Sequence, residues 1–95
     1  MDLYNETKLI MRKYGINANK SLGQNFLINE DAVNKIVDSA LISKEDLVIE
    51  IGPGLGTLTN ELLKRAGKVI CIELDERMLR ILNERFKENE NLELI

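Results

Sequence analysis

Two short stretches carry the residues best suited to chemistry. In "EIGPGLGTLT", Gly52, Gly54 and Gly56 recur at every second position directly after an apolar run. In "VICIELD", Glu73 ends a second apolar run. Alternating glycines let the backbone take positive φ and let a ligand lie against the main chain without a Cβ in the way. A carboxylate at the carboxyl end of a parallel strand stands in the crevice where such sheets bind ligands, and it can accept from two hydroxyls at once. The pattern is therefore that of a small-molecule cradle with an acid at its rim. A plain strand-to-helix turn needs fewer glycines than this.

The neighbouring residues narrow the ligand. A phosphate-binding P-loop ends in Gly-Lys-Ser/Thr, and no basic residue lies between Ile51 and Thr59. The dinucleotide fingerprint G-x-G-x-x-G requires a third glycine where Thr57 stands, and Glu50 would be a poor neighbour for a pyrophosphate. A cationic, phosphate-free ligand would instead welcome carboxylates. S-adenosylmethionine, with a sulfonium and an ammonium group, is a ligand of that kind.

These residues need elements to position them. Thr7 to Tyr14 can form a short helix with Asn5 or Thr7 as cap and Gly15 as stop. Asn29 is a good cap for a second helix, with Val33, Ile36, Val37, Ala40 and Leu41 as its apolar stripe. Leu47 to Ile51 reads as a buried strand. Leu58, Leu62, Leu63 and Ala66 give the next stripe, closed by Gly67 at the position after the cap. Val69 to Ile72 is a continuous apolar strand, with Cys71 in the core, and Asp75 caps a helix whose stripe is Met78, Leu79, Leu82 and Phe86. "NLELI" begins a third strand. The alternation predicts an α/β, Rossmann-like parallel sheet with flanking helices, truncated at the third strand, with the first strand at one edge. The natural division is 1–28, a helix and a segment ahead of the main body, and 29–95, the first part of the Rossmann-like domain.

Bulk properties exclude several classes. Ninety-five residues, 44% hydrophobic and 31% charged, suit one small ordered domain. One cysteine precludes an internal disulfide and fits a reducing, cytoplasmic setting; with no histidine, His-based catalysis and His-ligated metals drop out. No apolar run approaches the roughly 20 residues of a membrane span. The net charge of −3 divides into +2 over residues 1–28 and −5 over the rest. A mildly basic arm on an acidic body hints at a polyanion partner, or simply at a solvated helix face.

"KSLGQNFL" (Lys20 to Leu27), "VIEIGPGLGTLT" and "VICIELDERML", in this order and spacing, resemble the rRNA adenine N6-dimethyltransferase family. The resemblance runs from about Lys20 onward. Glycine loop and acid alone indicate only the cofactor class, whereas the Gln-Asn-Phe-Leu segment is more specific. With "GPGLG" it resembles the branch that dimethylates two neighbouring adenines near the 3′ end of small-subunit rRNA during ribosome biogenesis. The resemblance implies S-adenosylmethionine as cofactor, with Asn25 and Leu27 contacting it and Phe26 anchoring their segment. It also implies Gly52 and Gly54 approaching the cofactor through the backbone, Glu73 on the ribose and Glu50 toward the methionine end. In the family a later Asp and an Asn-Leu-Pro-Tyr motif hold the adenine and the target amine. Neither occurs in residues 1–95, so no catalytic residue is expected here and this stretch alone is expected to be inactive.

Two other readings compete. A non-catalytic RNA-binding or ribosome-assembly module could use Arg12, Lys13 and Lys20, although few basic and aromatic residues are available for it. A nucleotide-dependent oxidoreductase is disfavoured by Thr57. The first strand, lacking a sheet neighbour on one side, is expected to promote self-association.

Overall fold

The computed structural model describes residues 3–15 and 30–95; Asn25, Leu27, Phe26 and the Asn29 cap lie outside the described residues. The elements run α1 (Leu3–Tyr14), α2 (Glu30–Ser39), β1 (Leu47–Ile51), α3 (Thr57–Arg65), β2 (Lys68–Ile72), α4 (Glu76–Arg85) and β3 (Leu92–Leu94). The three strands form one parallel sheet in the order β1-β2-β3, with Glu50 beside Cys71 and Cys71 beside Leu94. The predicted alternation and parallel sense are present, and among the described residues β1 stands at one edge of the sheet.

Both crossovers run the same way along the sheet, so α3 and α4 land on the same face. Leu62, Leu63 and Ala66 from α3 and its end, with Leu82 and Phe86 from the α4 region, bury Val69 and Cys71 completely; Val37 of α2 joins them. A second cluster of Leu55, Met78 and Ile81 is covered by Ile10, Met11 and Tyr14 of α1. Ile81, absent from the predicted α4 stripe, is therefore one of its main core residues.

Several local expectations are corrected. Helix α1 begins at Leu3, so Asn5 and Thr7 lie inside it and Thr7 is buried. Helix α2 ends at Ser39, before the predicted Ala40 and Leu41. Leu41 takes a left-handed φ of 52° and is 85% exposed, so Val33 and Val37 alone carry the burial. The chain must turn there to enter β1, and the Asp46 carboxylate pins the turn by accepting from Ser43 N at 2.7 Å. Gly67 does follow the α3 cap, but not in the left-handed conformation; a Cβ on it would lie 2.1 Å from the Lys44 carbonyl oxygen. Helix α3 is instead closed by side chains: Asn91 Nδ2 donates to the carbonyls of Leu63 and Ala66, and Lys44 Nζ to that of Lys64 at 2.9 Å. These occupy carbonyls that a helix end leaves unpaired.

Strand β1, expected to be buried, is only half-buried, and on one face only: Val48 and Glu50 are partly covered. Its Leu47, Ile49 and Ile51 point to the face without helices among the described residues.

Candidate functional site

The glycine loop joins β1 to α3 at the carboxyl end of the sheet. Gly52, Gly54 and Gly56 all have positive φ, at 70°, 61° and 89°. They answer to different demands. A Cβ on Gly56 would strike Phe86 at 2.6 Å and Leu82 at 2.8 Å, so this glycine lets α4 pack against the loop. Among the described residues, a Cβ on Gly52 would meet nothing within 4 Å. That open space beside a left-handed backbone is what a ligand approaching the main chain requires.

Glu73 faces this loop from the end of β2. Its Oε1 accepts from Gly54 N at 3.1 Å and its Oε2 from Asp75 N at 2.9 Å. The carboxylate thus ties the glycine loop to the turn after β2 with one oxygen each. An ionised carboxylate has about four acceptor sites, so among the described residues each oxygen keeps one lone pair for a further donor. Arg77 does not compete for it: its guanidinium pairs with Asp75, 2.9 Å away, while Asp75 also caps α4 by accepting from Arg77 N. The predicted capping role of Asp75 is thereby confirmed.

Glu50 turns into the covered side of the sheet. The Thr59 hydroxyl donates to its Oε1, and the Cys71 thiol lies 3.6 Å from the same oxygen. Burial raises the Glu50 pKa, and the bonds from Thr59 and Cys71 oppose that rise. Burial, with Glu50 adding, pushes Cys71 up to about 12. The thiol therefore stays protonated and inert across the physiological range, as expected of a core cysteine. Thr59 was not singled out from sequence, although its place in the first turn of the helix after the loop could have suggested it.

The structure thus brings Gly52, Gly54 and Glu73 together at the crevice and sets Glu50 beneath the loop. Asn25 and Leu27 fall outside the described residues. No group of three or more His, Cys, Asp or Glu that could hold a metal occurs among the described residues, and none of the described helices is long and apolar enough to cross a membrane.

A family model described as ribosomal RNA adenine dimethylase matches residues 15–95. The chain belongs to this family. It is 57% identical over 89 residues to a ribosomal RNA small subunit methyltransferase A of Clostridium botulinum, covering 94% of this chain and 32% of that protein. A protein of the same name from Bacillus mycoides is 52% identical over 91 residues, covering 96% of this chain and 31% of that one. The chain therefore spans about a third of the length of the curated relatives it matches. Among solved structures, a dimethyladenosine transferase from Plasmodium falciparum superposes with a TM-score of 0.69 at 40% identity, covering 74% of this chain and 27% of that one. The 23S rRNA methyltransferase ErmE gives a TM-score of 0.70 at 35% identity, covering 75% and 29%. Fold and family agree with the resemblance carried by the three sequence motifs.

Proposed function

We propose that this member of the ribosomal RNA adenine dimethylase family is the cofactor-binding part of an S-adenosylmethionine-dependent rRNA adenine N6,N6-dimethyltransferase. Its substrate in this reading is two adjacent adenines near the 3′ end of small-subunit rRNA, in the immature ribosomal subunit. The observation that carries the cofactor assignment is the pairing of an open, left-handed Gly52 with a Glu73 carboxylate that retains acceptor capacity beside Gly54. The cofactor, when bound, supplies a methyl group from its sulfonium to an adenine amine. Glu73 would accept from its ribose hydroxyls, Gly52 and Gly54 would approach through the backbone, and Asn25 and Leu27 would add contacts from the segment before α2. Glu50 would act at one remove, holding the loop's base through Thr59 and adding negative charge on the methionine side.

Calorimetric titration of the chain with S-adenosylmethionine, beside Glu73→Ala, tests this. Saturable binding weakened by roughly tenfold or more in the variant is expected, as for a lost charge-assisted bond. Binding that Glu73→Ala leaves untouched would remove Glu73 from the ribose.

A further inference from the structure

Arg85 reaches the glycine loop from the last turn of α4. Its guanidinium donates through Nη1 to the carbonyl oxygen of Leu55 and through Nη2 to Glu6 Oε1 on α1 at 2.9 Å. The side chain is only 16% exposed. A cation so placed must be neutralised, and a neutral carbonyl cannot do that; the Glu6 carboxylate can. The guanidinium is a planar fork whose N–H directions are fixed relative to one another. Where Glu6 holds one arm, the other arm dictates where the Leu55 carbonyl must point.

The surrounding contacts act on the same peptide unit. Leu82 and Phe86 fill the space that a Cβ on Gly56 would need. The Leu55 side chain is 1% exposed, clustered with Met78 and Ile81 and covered by Ile10, Met11 and Tyr14. A second, exposed ion pair, Lys13 with Glu84 at 3.3 Å, lies between the other end of α1 and α4 and adds little to the clamp. The peptide between Leu55 and Gly56 is thus gripped at its carbonyl by Arg85 and at its Cα by α4, independently of Glu73. In turn Gly56 N donates to Pro53 O at 3.0 Å, which closes the loop over Gly54.

We propose that Arg85, held in place by Glu6, is a positioning residue for the glycine loop: it fixes the Leu55–Gly56 peptide so that Gly52 and Gly54 are preformed for the cofactor. Its last step rests on the cofactor reading above; the fixing of the loop does not. The clamp also adds no net charge beside a site meant for a cationic ligand, because each Arg85 charge is matched by Glu6.

The test is residue-resolved amide hydrogen exchange on the chain, comparing Arg85→Gln, Arg85→Lys and Glu6→Gln with the parent. In Arg85→Gln the Gly54 and Gly56 amides should exchange roughly tenfold faster while Val69 and Cys71 of β2 stay within about twofold, since local opening and global unfolding separate in such data. Arg85→Lys keeps the charge but lacks the planar fork that fixes both bonds at once, so it should restore only part of the protection. Glu6→Gln should loosen the same two amides and no others. Equal acceleration across loop and sheet, or none in the loop, overturns the positioning role. Should Arg85→Gln fail to fold, Arg85→Lys and Glu6→Gln decide the matter by the same criterion. A parallel titration with S-adenosylmethionine separates the two ideas. Loop-specific exchange changes without cofactor binding by the parent leave the positioning role standing and sink the reading that these residues by themselves form the cofactor site. Intact binding with an unchanged loop does the reverse.

Discussion

On one face of the sheet Val69 and Cys71 are fully buried beneath residues of α3 and α4; on the other, Leu47, Ile49 and Ile51 are 56%, 58% and 80% exposed. The strands carry apolar residues on both sides: Ile70, Ile72 and Ile95 continue the uncovered face across β2 and past β3, with the charged Lys68 and Glu93 beside them. What separates the faces is connectivity. Two successive right-handed crossovers in one direction deposit both helices on one side, and nothing among the described residues covers the other. Apolar composition states what a strand is built to bury, and topology states whether it has been buried.

The sharpest way to test this contrast is a pair of truncations. Leu82→Ala, at a fully buried position, should cost about 3–4 kcal/mol, and Ile49→Ala, half in water already, less than about 1 kcal/mol. Urea unfolding checks both; equal costs would mean that the bare face is covered in solution. The glycine loop offers a second pair. Gly56→Ala combines a left-handed backbone with a clash against Phe86 and should cost about 2–3 kcal/mol, whereas Gly52→Ala, strained but unobstructed, should cost about 1 kcal/mol. If Gly52 is the ligand's glycine, its substitution should nevertheless harm S-adenosylmethionine binding out of proportion to that small loss.

The bare face and the edge of β1 together form a surface that other chains can pair with. We expect the chain to self-associate at high concentration in light scattering, and Ile49→Lys to restore a monomer by placing a charge on that surface. A monodisperse parent chain would break the comparison outright. The smallest expected effect lies beneath the loop. Burial raises the Glu50 pKa in the folded state, so the native form holds this proton more tightly than the unfolded chain does. Stability from this group is therefore complete below its unfolded pKa and is lost as pH rises through the folded one. Glu50→Gln should gain on the parent as pH rises through that window and then keep a constant lead; a difference independent of pH would show that Glu50 is not the group responsible.

Much of this architecture is legible in the residues themselves. The alternation of apolar runs with 3.6-residue stripes dictates helices and parallel strands, and three alternating glycines after a strand dictate a loop of positive φ, because local sterics decide both. Asp75 announces its cap two residues ahead of its acceptor bond, for the same reason. The place of Glu73 at a strand end is likewise local, and its strand's parallel neighbours then make it a crevice residue. Three motifs in order sufficed to indicate the family.

What the chain order could not disclose depends on contacts between distant segments. Gly67 looks like a helix terminator and is a glycine because the Lys44 carbonyl passes close by. Leu41 completes a helical stripe on paper and stands in water because the chain must turn before β1. Arg85 and Glu6, 79 residues apart, carry no local signature of partnership, yet together they reach the loop that the sequence marks most clearly. Local periodicity and turn chemistry therefore determine which elements this protein makes and where its cradle lies. Only tertiary structure decides which side of the sheet is buried and which charges hold the cradle in shape, because burial and ion pairing are set by where the crossovers bring remote residues together.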